Sequence, residues 1–181
     1  MGAPLADREG MPIYPRGNQI GTLMPNQVKN VFISHVHEDD ATLQGLKDLL
    51  KRNGYEIRDG SIDSSKPNDA TDPGYIKSEI LAPRIRWAST FVVLISAKTH
   101  ESQWVDWEIE YAHKQGKQII GVWDQGAKNS DRPLALERYA DAVVGWQADR
   151  VMDAINGKIN NWEMASGQVR PPRDIVRIRC Q

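Results

Sequence analysis

Short apolar runs alternate along this chain with segments whose apolar residues recur at helical spacing. The strongest run, 90–96, is apolar almost throughout, as expected of a strand that is buried on both faces. The predicted strands are 30–34, 55–58, 90–96, 118–123 and 142–146. Regular alternation of strands and helices implies a parallel sheet that is covered by helices on both faces.

We therefore predict the α/β class, as a flavodoxin-like three-layer sandwich with about five parallel strands and helices on both faces. Residues 1–28 contain many Gly and Pro and no apolar periodicity, which predicts an irregular leader. Residues 29–165 form one domain in this interpretation, and 166–181 are a C-terminal extension that could add an edge strand.

Three segments raise particular expectations. Residues 75–85 are predicted to be helical, and Pro83 should cut or kink that helix. The final helix is predicted over 150–162, because four apolar residues share one face: Val151, Ile155, Ile159 and Trp162. The tail 174–180 is predicted to be extended. The longest loop, 59–74, is rich in Asp, Ser, Gly and Pro, and long loops in compact domains are often functional.

Bulk composition excludes several classes of protein. The chain has 181 residues and a formal net charge of −1, whereas a general nucleic-acid-binding surface needs a basic excess. No apolar run approaches the roughly 18 residues that span a bilayer, and no secretory signal is recognisable. The single cysteine, Cys180, excludes a disulfide framework. We expect a cytoplasmic protein that binds neither nucleic acid nor membrane.

A helical segment at 102–112 contains the candidate catalytic group. Trp104 and Glu108 are four residues apart, so an indole and a carboxylate share one helical face. Val105, Ile109 and Ala112 form the neighbouring apolar stripe, which would pack on the core. A carboxylate held at the edge of the core by an aromatic wall could act in catalysis, although an ordinary amphipathic helix with Glu108 in solvent fits the same pattern.

Four segments, in this order and spacing, resemble the boxes of the Toll/interleukin-1 receptor (TIR) domain family, particularly its bacterial NAD-consuming branch of Thoeris-type antiphage signalling enzymes. They are the opening box at 31–40, the loop-to-helix segment at 72–80, the strand 91–96 with the helix of Trp104 and Glu108, and the following strand at 116–120. The similarity covers roughly 29–162, so 29–165 is identified as a TIR-like domain.

The resemblance implies an enzyme that cleaves the bond between nicotinamide and ribose in NAD, with NAD as substrate and no cofactor. It implies that Glu108 is the catalytic carboxylate, which stabilises an oxocarbenium-like ribose. It further implies substrate-binding roles for four residues: Phe32, Ser34, His35 and Trp104. Water as acceptor would give ADP-ribose, and an acceptor inside the same molecule would give a cyclic ADP-ribose isomer that acts as a second messenger in antiphage defence.

Ser34 and His35 end the first predicted strand, at the side of the sheet where the ligand crevice of a parallel α/β fold opens. Both side chains could contact phosphate or ribose, or could cap the next helix or lie in water. His35 and His37 form a His-x-His pair, but no third ligand accompanies them and we expect no metal. The sequence has no Walker A loop and no Gly-x-Gly-x-x-Gly motif.

Two other functions remain open. The domain could be a non-catalytic TIR interaction or adaptor module, or a nucleoside (deoxy)ribosyltransferase, an enzyme class with a similar fold that also uses a glutamate. The pairing of Trp104 with Glu108 favours the NAD enzyme, because a pure scaffold needs neither residue. The resemblance also implies self-association through the 59–74 loop and a separate effector protein that senses the product.

Overall fold

A seven-stranded sheet forms the centre of the fold in the computed structural model, which describes residues 28–62 and 71–171. The strands are β1 (Lys29–Ser34), β2 (Ile57–Asp59), β3 (Thr90–Ile95), β4 (Gln118–Trp123), β5 (Ala142–Val144), β6 (Trp162–Glu163) and β7 (Val169–Arg170). Their order is β2-β1-β3-β4-β5-β6-β7, and only the β6–β7 pair is antiparallel. The predicted parallel strands are confirmed, and β6 and β7 extend the sheet beyond them.

Helices cover both faces of this sheet. They are α1 (Asp40–Arg52), α2 (Pro73–Tyr75), α3 (Ala82–Trp87), α4 (Gln103–Lys114), α5 (Leu134–Tyr139) and α6 (Ala148–Ile155). Apolar residues of α1 and α6 pack on one face of the sheet, and those of α3, α4 and α5 pack on the other. The predicted three-layer α/β sandwich is therefore confirmed.

Alternation along β1 assigns its side chains to the two layers. Phe32 belongs to the core beneath α3 and α4, whereas Val31 and Ile33 belong to the core beneath α1 and α6. Successive side chains of a strand point to opposite faces, so Ser34 lies on the same face as Phe32. The alternation along β1 therefore directs the side chain of Ser34, its last residue, toward the layer of α3 and α4.

Pro83 does not interrupt the helical segment that contains it. The chain passes from α2 through a π-helix, Ile76–Leu81, directly into α3. The backbone N–H of Ala82 donates to the carbonyl of Lys77, five residues earlier. Proline lacks an N–H and its ring clashes with the carbonyl four residues back, and the wider π turn gives it room. The expected cut or kink is thus replaced by a local change of helical register.

The prediction of a final helix over 150–162 is wrong at its C-terminal end. The helix stops at Ile155, and Gly157 follows with a φ of +71°. A left-handed glycine just beyond the last turn is a common helix terminator. Trp162 instead lies in β6, where its ring is 1% exposed and the Arg170 guanidinium stacks on it at 4.1 Å. The spacing of three or four residues between the apolar side chains is typical of a helix, but the helix ends before Gly157 and the chain then continues into β6.

Parts of three predicted segments lie outside the described residues: nearly all of the leader, 63–70 of the long loop, and the extended tail 174–180. Val169–Arg170 forms a short edge strand before that tail. Across the described part of the chain, no helix has the length and apolar character needed to cross a membrane.

Gly121 in β4 lies where three core side chains converge. A Cβ at this position would be 3.0 Å from Leu136, 3.1 Å from Ile95 and 3.2 Å from Val143. Extra volume in a packed core forces side chains off their rotamers or shifts the backbone. We expect Gly121→Ala to lower the free energy of unfolding by about 1–3 kcal/mol, as measured by urea denaturation.

Gly45 supplies the matched control for that substitution. It lies inside α1, and a Cβ there would meet only Trp146 at an ordinary 3.7 Å. Since alanine favours a helix interior over glycine, Gly45→Ala should raise the free energy of unfolding by up to about 1 kcal/mol. Equal effects of the two substitutions would contradict the packing assigned to β4.

Candidate active site

Helix α4 carries Glu108 into the protein. The helix begins after Ser102, whose side chain accepts a hydrogen bond from the backbone N–H of Val105 at 3.3 Å. Its predicted core stripe is confirmed, because Val105, Ile109 and Ala112 are at most 1% exposed. Packing of this stripe on the sheet brings Glu108, which is only 7% exposed, against the end of β1.

Ser34 is the group that meets this carboxyl. It is the last residue of β1 and is 1% exposed, and its Oγ donates a hydrogen bond to Oε2 of Glu108 at 2.5 Å. Phe32, two residues earlier on the same face, stacks on Phe91 with ring centroids 5.5 Å apart. The seryl hydroxyl is therefore held by a strand whose side chains are locked in the core.

Burial dominates the electrostatics of Glu108. Removal from water raises the pKa of its carboxyl from 4.5 to about 7, and the hydrogen bond from Ser34 opposes that rise only in part. Desolvation disfavours the charged form, whereas a hydrogen bond donated to the carboxylate favours it. A carboxyl with a pKa near neutrality, buried at the ligand edge of a sheet, is typical of a functional group rather than of a structural one.

A small cavity adjoins this carboxyl, and we call it the Glu108 chamber. Its volume is about 30 Å³, enough for about one water molecule. The chamber is lined by Phe32, Ile33, Ser34, His35, Ile62, Leu81 and Glu108. A ribose ring cannot enter a space of this size. Side chains that cover the chamber must therefore move before a nucleotide reaches Glu108.

His35 forms a wall between the chamber and the surface. Its side chain is 5% exposed, with Nδ1 at 3.1 Å from the carbonyl oxygen of Ile33 and Nε2 at 3.0 Å from Oδ1 of Asp40. One of these oxygens belongs to β1 and the other to α1. The ring is thus held in place by β1 and by the first turn of α1.

A larger crevice of about 390 Å³ opens on the outer side of His35. It is lined by His35, Val36, His37, Glu38, Lys98, Glu101, Ser102 and Trp104. The crevice lies beyond the carboxyl ends of β1 and β3, neighbouring strands whose connections run to opposite sides of the sheet. Such a switch point is where open α/β sheets bind their ligands.

The structure therefore divides the five predicted site residues between two adjoining spaces. Phe32, Ser34, His35 and Glu108 line the chamber, and His35 and Trp104 line the crevice. Trp104 is 38% exposed, so the aromatic wall beside Glu108 is Phe32 rather than the indole. Lys77 packs over the Trp104 ring, with Nζ at 5.4 Å from its centroid.

Sequence reasoning missed three residues of the chamber: Ile33, which lies between two predicted site residues on β1, and the more distant Ile62 and Leu81. Ile62 follows β2 at the start of the long loop, and Leu81 ends the π-helix. Neither residue carries a chemical signal in its local sequence, because an apolar side chain in a loop or a helix is ordinary. In residues 28–62 and 71–171, no three His, Cys, Asp or Glu side chains converge as a metal site would require.

Comparison with known proteins gives one family match. Residues 32–129, more than half of the chain, match the family described as Thoeris protein ThsB, TIR-like domain. The matched region contains all five predicted site residues.

A curated protein of Bacillus cereus, named "Probable 3' cyclic ADP-D-ribose synthase ThsB'", is 29% identical over 91 residues. That alignment covers 48% of this chain and 44% of the relative, so it spans less than half of the relative's own length.

Two solved structures are similar at lower identity. A CMP N-glycosidase from Clostridium botulinum is 15% identical with a TM-score of 0.43, and the alignment covers 71% of this chain and 98% of that one. The TIR domain of a Toll-related receptor from Hydra magnipapillata is 18% identical with a TM-score of 0.45, covering 72% and 95% of the two chains.

Burial of Glu108 makes the stability of the protein depend on pH. Because the folded-state pKa is raised, the folded protein holds an extra proton between about pH 4.5 and 7. Stability is therefore greatest below that window and falls as the pH rises through about 7, by an amount on the order of 3 kcal/mol. We expect Glu108→Gln to abolish this fall and to be more stable than the wild type at pH 8, as measured by urea denaturation across pH. Parallel curves for the two proteins would contradict the burial of a titrating carboxyl.

Proposed function

The chain belongs to the Thoeris ThsB TIR-like domain family, and we propose that it cleaves the nicotinamide–ribose bond of NAD to form ADP-ribose or a cyclic ADP-ribose isomer. The observation that carries this proposal is the placement of Glu108. A buried carboxyl, hydrogen-bonded by Ser34, lies at the carboxyl end of the sheet beside a crevice at the topological switch point.

The chemistry of NAD cleavage suits a site with one carboxylate. When the bond between ribose C1′ and the pyridinium nitrogen breaks, both electrons go to that nitrogen and nicotinamide leaves as a neutral molecule. The positive charge passes to C1′ and the ring oxygen of the ribose as an oxocarbenium-like species. A preorganised carboxylate stabilises this charge most strongly where water is excluded, and the leaving group needs no general acid.

The two adjoining spaces suit the two ends of a dinucleotide. The reacting ribose would lie at Glu108 in an opened chamber, and the rest of the molecule would extend past His35 into the crevice lined by Trp104. An indole that is partly exposed can stack on a base or on nicotinamide. Access to Glu108 requires Ile62 and Leu81 to move, so the site is closed in the present conformation.

The acceptor of the ribosyl cation decides the product. Water gives ADP-ribose and a proton, whereas attack by a nucleophilic atom of the same ADP-ribose closes a ring. The name of the Bacillus cereus relative supports a cyclic product. We propose that such a product acts as a diffusible signal in antiphage defence, sensed by a separate effector protein, and that this chain acts in the cytoplasm.

The buried carboxyl also favours an enzyme over the adaptor alternative. Ionisation of Glu108 in the folded protein costs on the order of 3 kcal/mol, because its pKa is raised to about 7. An interaction module could place glutamine or leucine there at no such cost. Self-association through the 59–74 loop remains a prediction, since residues 63–70 lie outside the described residues.

Turnover of NAD by Glu108 variants tests the proposal directly. We expect Glu108→Gln to lower the rate of nicotinamide release by at least about 100-fold, because a neutral amide cannot stabilise the ribosyl cation. The control is Glu110→Gln, which removes a carboxylate that is exposed on the same helix and should keep the wild-type rate. Release is followed by liquid chromatography with mass detection, which also separates ADP-ribose from its cyclic isomers.

Three results would contradict this proposal or favour one of the two alternative functions. Equal rates for Glu108→Gln and wild type would remove Glu108 from the reaction. Absence of nicotinamide release at high protein concentration would favour the adaptor module. Cleavage of nucleosides without cleavage of NAD would favour the (deoxy)ribosyltransferase.

The pH dependence of turnover tests the role of the charged form. Since only the carboxylate stabilises the cation, kcat/KM should rise with pH through a midpoint near 7. Ser34 donates to that carboxylate and lowers its pKa, so Ser34→Ala should move the midpoint upward. A downward shift in Ser34→Ala, measured from initial rates across pH, would contradict this arrangement.

A further inference from the structure

Two residues, Gly60 and Ser61, separate the end of β2 from Ile62 of the chamber, and the Ser61 side chain continues the pairing with β1. The last backbone bond between the two segments runs from the N–H of Gly60 to the carbonyl of Val31, at 2.8 Å. Two residues further along β1, the N–H of Ile33 donates to Oγ of Ser61 at 2.7 Å. Ser61 is fully buried, so its hydroxyl continues the hydrogen-bond ladder up to the residue before Ser34.

Asp59 holds this serine in place. Its Oδ1 accepts hydrogen bonds from the backbone N–H of Ser61, at 2.9 Å, and from the hydroxyl of Ser61. The second carboxylate oxygen of Asp59 lies 3.1 Å from Nζ of Lys47 on α1, and the Asp59 side chain is 10% exposed. The hydroxyl of Ser61 thus donates to a fixed carboxylate and accepts from a fixed strand.

The opposite side of the segment is clamped by α3. The ring of Trp87 lies so close to Gly60 that a Cβ there would be 3.1 Å from it, and Nη1 of Arg84 donates to the carbonyl of Gly60 at 3.3 Å. Residues 59–61, which we call the loop root, are therefore fixed by β1, α1 and α3 together. The residue that follows the root is Ile62, which covers the Glu108 chamber.

We propose that Asp59 and Ser61 are positioning residues for Glu108, which hold the Ile62 wall of the chamber and the end of β1 that carries Ser34. The inference rests on the proposed function in treating Glu108 as the reacting carboxylate. Asp59 and Ser61 act through two routes, the backbone of Ile33 beside Ser34 and the chain connection to Ile62. A loosened root admits water to the chamber and frees Ser34 from its fixed distance to the carboxyl.

The protonation of Glu108 reports on the root independently of turnover. Among the described residues that line the chamber, His35 is the one other titratable side chain, and it is paired with Asp40 of α1. Beyond the chamber, the root itself brings the Lys47–Asp59 pair and the guanidinium of Arg84. Entry of water through a displaced Ile62 should therefore lower the pKa of Glu108 toward the ordinary glutamate range.

The experiment is a titration of ¹³C-labelled glutamate carboxyls by NMR on the full chain, with the Glu108 signal assigned from its loss in Glu108→Gln. We expect Ser61→Ala to lower the Glu108 midpoint, in the opposite direction to Ser34→Ala, because burial affects this carboxyl more strongly than the hydrogen bond from Ser34 does. In turnover of NAD, Ser61→Ala should reduce kcat by about tenfold with KM nearly unchanged, because positioning rather than binding is lost.

Ser89 offers a matched control. Its Oγ donates to the carbonyl of Asn30 at 2.9 Å, on the same strand but at the end remote from Ser34. Ser89→Ala removes a hydroxyl bonded to β1 and should leave both the Glu108 midpoint and kcat as in the wild type. An equal effect of Ser89→Ala and Ser61→Ala would show general weakening of the strand and would overturn the proposal.

A second pair of variants covers the case in which Ser61→Ala fails to fold. Asp59→Asn keeps an oxygen that accepts from Ser61, whereas Asp59→Ala removes it, and both lose the charge that faces Lys47. We expect the midpoint and kcat to stay near wild type in Asp59→Asn and to fall in Asp59→Ala. Equal values for these two variants would overturn the proposal.

The results separate this inference from the proposed function. An unchanged midpoint in folded Ser61→Ala, or an unchanged kcat beside a lowered midpoint, overturns the positioning role even if the wild type cleaves NAD. Failure of the wild type to cleave NAD refutes the proposed function, while the titration still decides whether the root holds the chamber.

Discussion

Desolvation of the Glu108 carboxyl is the interaction on which the rest of this site depends. A charged group without water is costly unless hydrogen bonds replace its hydration, and the described contacts supply one such bond, from Ser34. That bond is available only because β1 ends with its seryl hydroxyl on the face that α4 covers. The raised pKa of Glu108 is thus a consequence of the register of the sheet and the packing of the helix. A change in either the register or the packing would change this pKa.

Core and site share the same side chains in this molecule. Phe32 stacks on Phe91 within the core, and it also forms the aromatic wall of the chamber. Leu81 belongs to the core and to the chamber cover, and it ends a π turn beside Pro83. π turns are frequent at functional sites, where they change the direction of a side chain without breaking the helix. The chamber is closed beside an open crevice because the dense packing of the core extends up to the Glu108 carboxyl.

Most of the fold could be predicted from the sequence because its elements are long enough to show their periods. The strand at Thr90–Ile95 and the helix at Gln103–Lys114 both lie where the apolar patterns placed them. Element length also explains the wrong prediction at Trp162, because a two-residue strand is too short to show the period of two that identifies a strand. The π-helix before Pro83 was also beyond local reasoning, because the usual effect of proline is to end a helix.

Local patterns were sufficient to order the segments of the parallel strands and to place the apolar stripe of α4. These are properties of periodicity and residue type, which need no knowledge of distant contacts. The three-dimensional packing was needed to show that Glu108 meets Ser34, that Phe32 rather than Trp104 forms the chamber wall, and that Ile62 and Leu81 close it. Such contacts join residues remote in the chain, and their distances depend on how the layers pack, which no local pattern contains.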